Sequence, residues 1–191
     1  MRDIEEIACG IMKAAGMEPY IDRLREIGYF VAPASKSHHL SYPGGLVDHS
    51  LNVTRMLIVL TGAMNIEWSR PDSPIIVGML HDLVKSRCYR EAPIRIENGI
   101  PVSRPEYVYV DPGYPGHGSA SLKIARDIGF ELKPDEVAAI RWHMGLFDMT
   151  LPVDRRNFEV AVSEFGPQVL ATHFADWYSA AVVEKGVAKH G

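Results

Sequence analysis

In the stretch VGMLHDLVK, Val77 to Lys85, a histidine and an aspartate interrupt a run of apolar residues. Val77, Met79, Leu80, Leu83 and Val84 favour burial, and they carry His81 and Asp82 inward with them. A carboxylate in an apolar interior is costly without a partner, and a buried imidazole needs its ring nitrogens bonded. Any fold of this chain must therefore bring polar or cationic neighbours to His81 and Asp82 inside its core.

The flanking segments repeat apolar residues at helical spacing. DIEEIACGIMKAAG and EPYIDRLREIG both read as helices ending at glycine. Leu46, Val53, Met56, Leu57 and Leu60 set a helix from Leu46 to about Gly62, with His49 on or near its apolar face. Ser73-Pro74 opens a helix expected to continue to about Arg87, through His81 and Asp82. Ile94 and Ile96 then alternate with Arg95 and Glu97, Asn98-Gly99 makes a turn, and Tyr107 to Val110 is a second β-rich run. Further helices are expected at about 117–129 and 134–144, the latter with Pro134 in its first turn. GLFDMTLPVDRRN reads as a loop, and FEVAVSEFG and PQVLATHFADWYSAAVVEK close the chain as two helices. The expected architecture is an all-α helical bundle with a small β-hairpin insertion, one domain over residues 1–191.

Composition excludes several classes. The chain is long enough for one sizeable core. A net charge of −4 lacks the strongly basic footprint of a general nucleic-acid binder. No glycine-rich phosphate loop occurs. The opening MRDIEEIACGIMKAAG has no long apolar run, so neither a signal peptide nor a membrane span is expected. Cys9 and Cys88 fit no ligand spacing; a reduced, cytoplasmic chain is expected, with a single disulfide as the alternative.

Four of the eight histidines, His81 among them, share one setting. His49, His81, His117 and His143 each lie inside or at the end of an amphipathic helix and face the expected core. Asp176, in THFADWYSAA, is a second acid in apolar company. A lone histidine on a helix is usually a packed residue with a satisfied hydrogen bond. Five polar groups of this kind on different helices of one small domain point instead to a shared metal. Imidazole and carboxylate together are ligands for Mn, Fe, Zn or Ni, and a cation would partner Asp82 and Asp176. Neighbouring helical side chains point about 100° apart, so His81 and Asp82 can reach one centre, or Asp82 can bridge two. His39, in a loop, could reach a substrate or lie on the surface. His173 lies on roughly the face of Asp176 and reads as support or packing. Arg141, Arg155 and Arg156 read as solvated surface, with phosphate contact as the alternative, and His190 as part of a frayed tail.

LVDHS, LHDLVK, GHG, RWHMG and ADWYSA, in that order, resemble the motifs of the HD-domain metal-dependent phosphohydrolase superfamily, over about Gly44 to Ala180. The loop HHLSYPGGLVDHS is similar to the lead-in of HD-type 3′–5′ exoribonucleases. The resemblance implies an HD-type domain and a phosphohydrolase cleaving a phosphoester by metal-activated water, with a nucleotide as the small phosphorylated substrate. The alternatives it leaves are a 3′–5′ exoribonuclease-like nuclease, with nucleic acid as partner, and a non-catalytic metal or nucleotide sensor. His49, His81, Asp82 and Asp176 match the ligands of a first metal, and His117 and His143, with a bridging Asp82, those of a second. Where many two-metal members have a histidine pair and an acid, this chain has Trp142-His143-Met144, which leaves the count at one or two ions. The cofactor implied is a divalent transition metal (Mn, Fe, Ni or Zn), with Mg as the harder alternative. Asp82 and Lys85 take the catalytic roles, and Lys85 and His39 the substrate contacts.

Overall fold

A computed structural model describes residues 2–93, 96–101, 106–114 and 116–185, and it is mostly helical. Helix α1 (Arg2–Ala14) carries Asp3 and Glu5 in its first turn and Lys13 in its last, which suits the helix dipole. A short 3₁₀ turn (Glu18–Tyr20) leads into α2 (Ile21–Glu26). A long loop then reaches α3 (Gly45–Met64), which packs on α4 (Ser73–Leu80). After a 3₁₀ turn (Leu83–Arg87) come the strands β1 (Tyr89–Glu91), β2 (Ile96–Glu97), β3 (Ile100–Pro101) and β4 (Tyr107–Tyr109). β1 pairs antiparallel with β4, and β2 with β3 across the Asn98-Gly99 turn, so the expected β excursion is present as two short ribbons. Ile94 and Arg95, half of the alternation read from the sequence, lie outside the described residues, as does His190.

Helices α5 (His117–Asp127) and α6 (Pro134–Trp142) pack together, and α6 also lies on α7 (Asp154–Tyr178). Phe165 leaves helical geometry inside α7, two residues before Pro167, so the segment is two helices joined at a kink, as its sequence suggests. The loop expected over Gly145–Asn157 is shorter: a 3₁₀ turn spans Gly145–Asp148 and α7 begins at Asp154. Among the described residues no helix is long and apolar enough to cross a membrane.

The main core has Met12, Leu24, Leu46, Leu57, Met79, Leu80, Leu83, Ile124 and Ile140 buried in it, and Ala138, Trp142 and Val169 form a smaller second cluster where α6 meets α7. Two glycines set how closely its helices approach. A Cβ on Gly78 of α4 would stand 2.7 Å from Thr54 Cα on α3, and a Cβ on Gly118 of α5 would stand 2.2 Å from the carbonyl oxygen of Arg141 on α6. Each close crossing brings together two histidine-bearing elements: His49 with His81, and His117 with His143.

The helix expected to run to about Arg87 stops at Leu80. His81 caps its C-terminus, still with helical backbone angles, and Asp82 turns out of register with φ −105° and ψ 21°. Side chains cover the interruption. Tyr29 donates its hydroxyl to the carbonyl of Met79 (2.8 Å), and Ser121 accepts the amide of Val84 (3.1 Å). With the break in place both side chains meet at one centre, His81 Nε2 lying 3.4 Å from Asp82 Oδ2.

Candidate metal centre

Five elements converge on the break after α4. His49 comes from α3, His81 and Asp82 from the end of α4, His117 from the first residue of α5, His143 from the end of α6, and Asp176 from α7. All six sequence-nominated ligands therefore lie in one cluster. His49, His81, Asp82 and His143 are fully buried, Asp176 nearly so, and His117 is the most open, its side chain 27% exposed.

The cluster divides around Asp82. On one side His49 Nε2 lies 3.2 Å from Asp82 Oδ2, 3.1 Å from Asp176 Oδ1 and 3.2 Å from His81 Nε2. On the other, Asp82 Oδ1 meets His117 Nε2 at 2.5 Å and His143 Nε2 at 3.5 Å. His49, His81, Asp82 and Asp176 each offer one ligand atom within 4.8 Å of the others, and so do Asp82, His117 and His143. One carboxylate thus serves two donor sets, one oxygen to each.

The ring orientations decide what these sets can hold. His49 donates Nδ1–H to Glu184 (2.9 Å), His81 to the carbonyl of Gly78 (2.9 Å), and His143 to the carbonyl of Ile140 (2.7 Å). Each therefore turns Nε2 inward, and in its neutral form presents a lone pair there. Two lone pairs 3.2 Å apart, as on His49 and His81, repel unless a proton or a cation lies with them. Among the described residues, His143 Nε2 is buried without a hydrogen-bond partner. Asp82 Oδ2 has Lys85 Nζ at 2.5 Å as an ion-pair neighbour but accepts no aligned hydrogen bond among the described residues. Unsatisfied inward-facing nitrogen and oxygen atoms in a buried cluster are what a divalent cation would satisfy, and these groups could hold one.

Electrostatics follow the same geometry. Burial opposes charge on Asp82, yet Lys85, His81 and His117 outweigh it and hold the carboxyl well below its ordinary range. Burial likewise opposes a charged Lys85, and Asp82 with Asp176 keeps it protonated. For His49 the bonds to Asp176, Asp82 and Glu184 overcome desolvation and raise the imidazole well above its usual value. His81 goes the other way, because burial dominates. Without a metal, a proton on His49 shares the role of counter-charge with Lys85.

The weaker nominations find other places. His39 donates Nδ1–H to Glu184 (2.5 Å) and lies edge-on to His49. His173 donates to the carbonyl of His143 (2.6 Å), so it braces the backbone of that residue. Arg141 is ion-paired inside the fold with Asp148 and Asp154, whereas Arg155 is exposed beside Glu159. Two supporting acids went unread in the sequence. Asp148 accepts the amides of His117 and Gly118 and fixes the start of α5. Glu184 is fully buried beneath His49. A weaker form of the signal at Asp82 is present in AAVVEK, where Glu184 follows an apolar run directly but is succeeded by Lys185 and Gly186 rather than by further apolar residues.

No protein-family model, no curated protein and no solved structure gives a significant match to the chain.

Proposed function

We propose that the chain is an HD-type metal-dependent phosphohydrolase that cleaves a phosphoester, with a nucleotide as the favoured substrate. The observation that carries this reading is the division of labour at Asp82, whose two oxygens face two sets of imidazoles, all buried but His117. His49, His81, Asp82 and Asp176 would hold a first ion, and Asp82, His117 and His143 a second. When bound, a divalent transition metal such as Mn, Fe, Ni or Zn supplies the charge that polarises a phosphoryl oxygen and acidifies a water. Asp82 would accept or orient the proton released at that water. Lys85, kept protonated beside Asp82, would stabilise charge on the phosphate. His39, partly open at the rim, is the second residue assigned to substrate. Two buried free thiols, Cys9 and Cys88, suit a reducing compartment, and a cytoplasmic setting is part of the same proposal.

The test is hydrolysis of bis-p-nitrophenyl phosphate, a nucleotide panel and a short single-stranded RNA, each with Mn²⁺ and with EDTA. Metal-dependent turnover of nucleotides, lost in Asp82→Ala, is the expected result. Turnover confined to RNA ends would favour the exoribonuclease alternative, and metal uptake without turnover the sensor. Elemental analysis finding no bound metal after reconstitution would overturn all three.

A further inference from the structure

The C-terminal segment reaches His49 twice. Asp176 Oδ1 lies 3.1 Å from Nε2 of that ring, and Glu184 Oε1 lies 2.9 Å from its Nδ1. Asp176 and Glu184 are eight residues apart, which on an unbroken α-helix would leave them about 80° out of line. The segment is not unbroken. After α7 it closes a π turn over Ser179–Val183, sealed by the Glu184 amide on the carbonyl of Ser179 (2.9 Å). A π turn takes up one extra residue, which swings Glu184 back toward the face of Asp176. The carboxylate it delivers is buried and fully engaged: Oε1 also accepts from Asn52 Nδ2 (3.1 Å), and Oε2 from His39 Nδ1 (2.5 Å).

We infer that Glu184 is a positioning residue for the metal centre: it holds His49 by Nδ1–H and so fixes Nε2 toward Asp82, Asp176 and His81, with His39 and Asn52 holding Glu184 in turn. The inference rests on the proposed reading of the cluster as a metal site. Its reason is local. A free imidazole can present either nitrogen, and a ring turned over would take the ligand atom out of reach. Partners of this kind behind a ligating histidine typically change metal affinity by about 10- to 100-fold. His39, His49 and Glu184 also place donor atoms within 4.8 Å of one another, so a cation among them is the rival assignment. The hydrogen bonds already joining the three make Glu184 the acceptor for both rings.

The experiment uses the full chain and Mn²⁺, in two measurements. Histidine ¹⁵N–¹H spectra of the metal-free protein should show a slowly exchanging Nδ1–H from His49. The signal should persist in Glu184→Gln, whose amide oxygen can still accept, and vanish in Glu184→Ala. Mn²⁺ titration should give unchanged stoichiometry at saturation, with affinity falling about tenfold in Glu184→Gln and about 100-fold in Glu184→Ala. Wild-type affinity in Glu184→Ala would overturn the role; if that variant fails to fold, Glu184→Met, close in size and without a carboxylate or amide oxygen, decides by the same two measurements. One ion fewer at saturation in both Glu184→Gln and His39→Ala would make Glu184 a ligand and also overturn it. If the wild type takes up no Mn²⁺, the metal reading falls, while the His49 resonance still decides whether Glu184 holds that ring.

Discussion

At Asp82 one carboxylate answers His49 and Lys85 through Oδ2 and His117 through Oδ1, in surroundings where water cannot share the work. Replacing it with asparagine keeps the shape and removes the charge. In metal-free protein Asp82→Asn should then lose roughly 3 kcal/mol, because Lys85 keeps its charge and loses its nearest counter-ion. The sign with pH follows from the direction of the shift. Asp82 is held below its ordinary range, so its contribution is present above about pH 4 and is lost as pH falls through the folded-state value. The stability gap between wild type and Asp82→Asn should therefore be full at pH 7 and should close on acidification. Urea melts in EDTA at a series of pH values measure it. A variant as stable as wild type at pH 7 would mean that Lys85 finds solvent when Asp82 is neutralised.

Among the elements, α3 and α4 cross where Gly78 meets Thr54, and the histidines they carry are neighbours because nothing larger stands between them. Alanine at position 78 gains up to about 1 kcal/mol of helix propensity. It also sets a Cβ 2.7 Å from a backbone Cα, a contact that forces the helices apart at a cost of about 1–3 kcal/mol or more. Overpacking wins, so Gly78→Ala should lower Tm and weaken Mn²⁺ binding together. Gly62, in the exposed last turn of α3 with nothing within 4 Å of a Cβ, is the control, and Gly62→Ala should raise Tm slightly. Equal effects at the two positions would show that the crossing relaxes without disturbing the site.

For the whole molecule, a ligand seated between α3, α4, α5, α6 and α7 ties together segments far apart in sequence. Binding to the folded state alone stabilises it by about 2.7 kcal/mol when free metal is one hundred times its Kd. Calorimetry should show Tm rising with Mn²⁺ and returning with EDTA. In His143→Ala part of that rise should remain, carried by His49, His81, Asp82 and Asp176. A rise identical to wild type in His143→Ala would remove the second donor set from the site.

Much of this could be read in the chain itself, because helical periodicity and the energetic cost of buried polar groups are written locally. The helix of His49, the starts at Ser73, His117 and Pro134, the Asn98-Gly99 turn and the six inward-facing histidines and aspartates all carry their signal within a few residues. What the chain did not disclose depends on contacts across the fold. The helix through His81 and Asp82 ends early, with Tyr29 and Ser121, distant in sequence, bonding the backbone on either side of the break. The π turn that delivers Glu184, the anchoring of α5 by Asp148, and which oxygen of the bridging Asp82 faces which imidazoles arise only once five elements are packed together. Local sequence can mark a group that needs a partner, but which group becomes the partner is set by long-range packing.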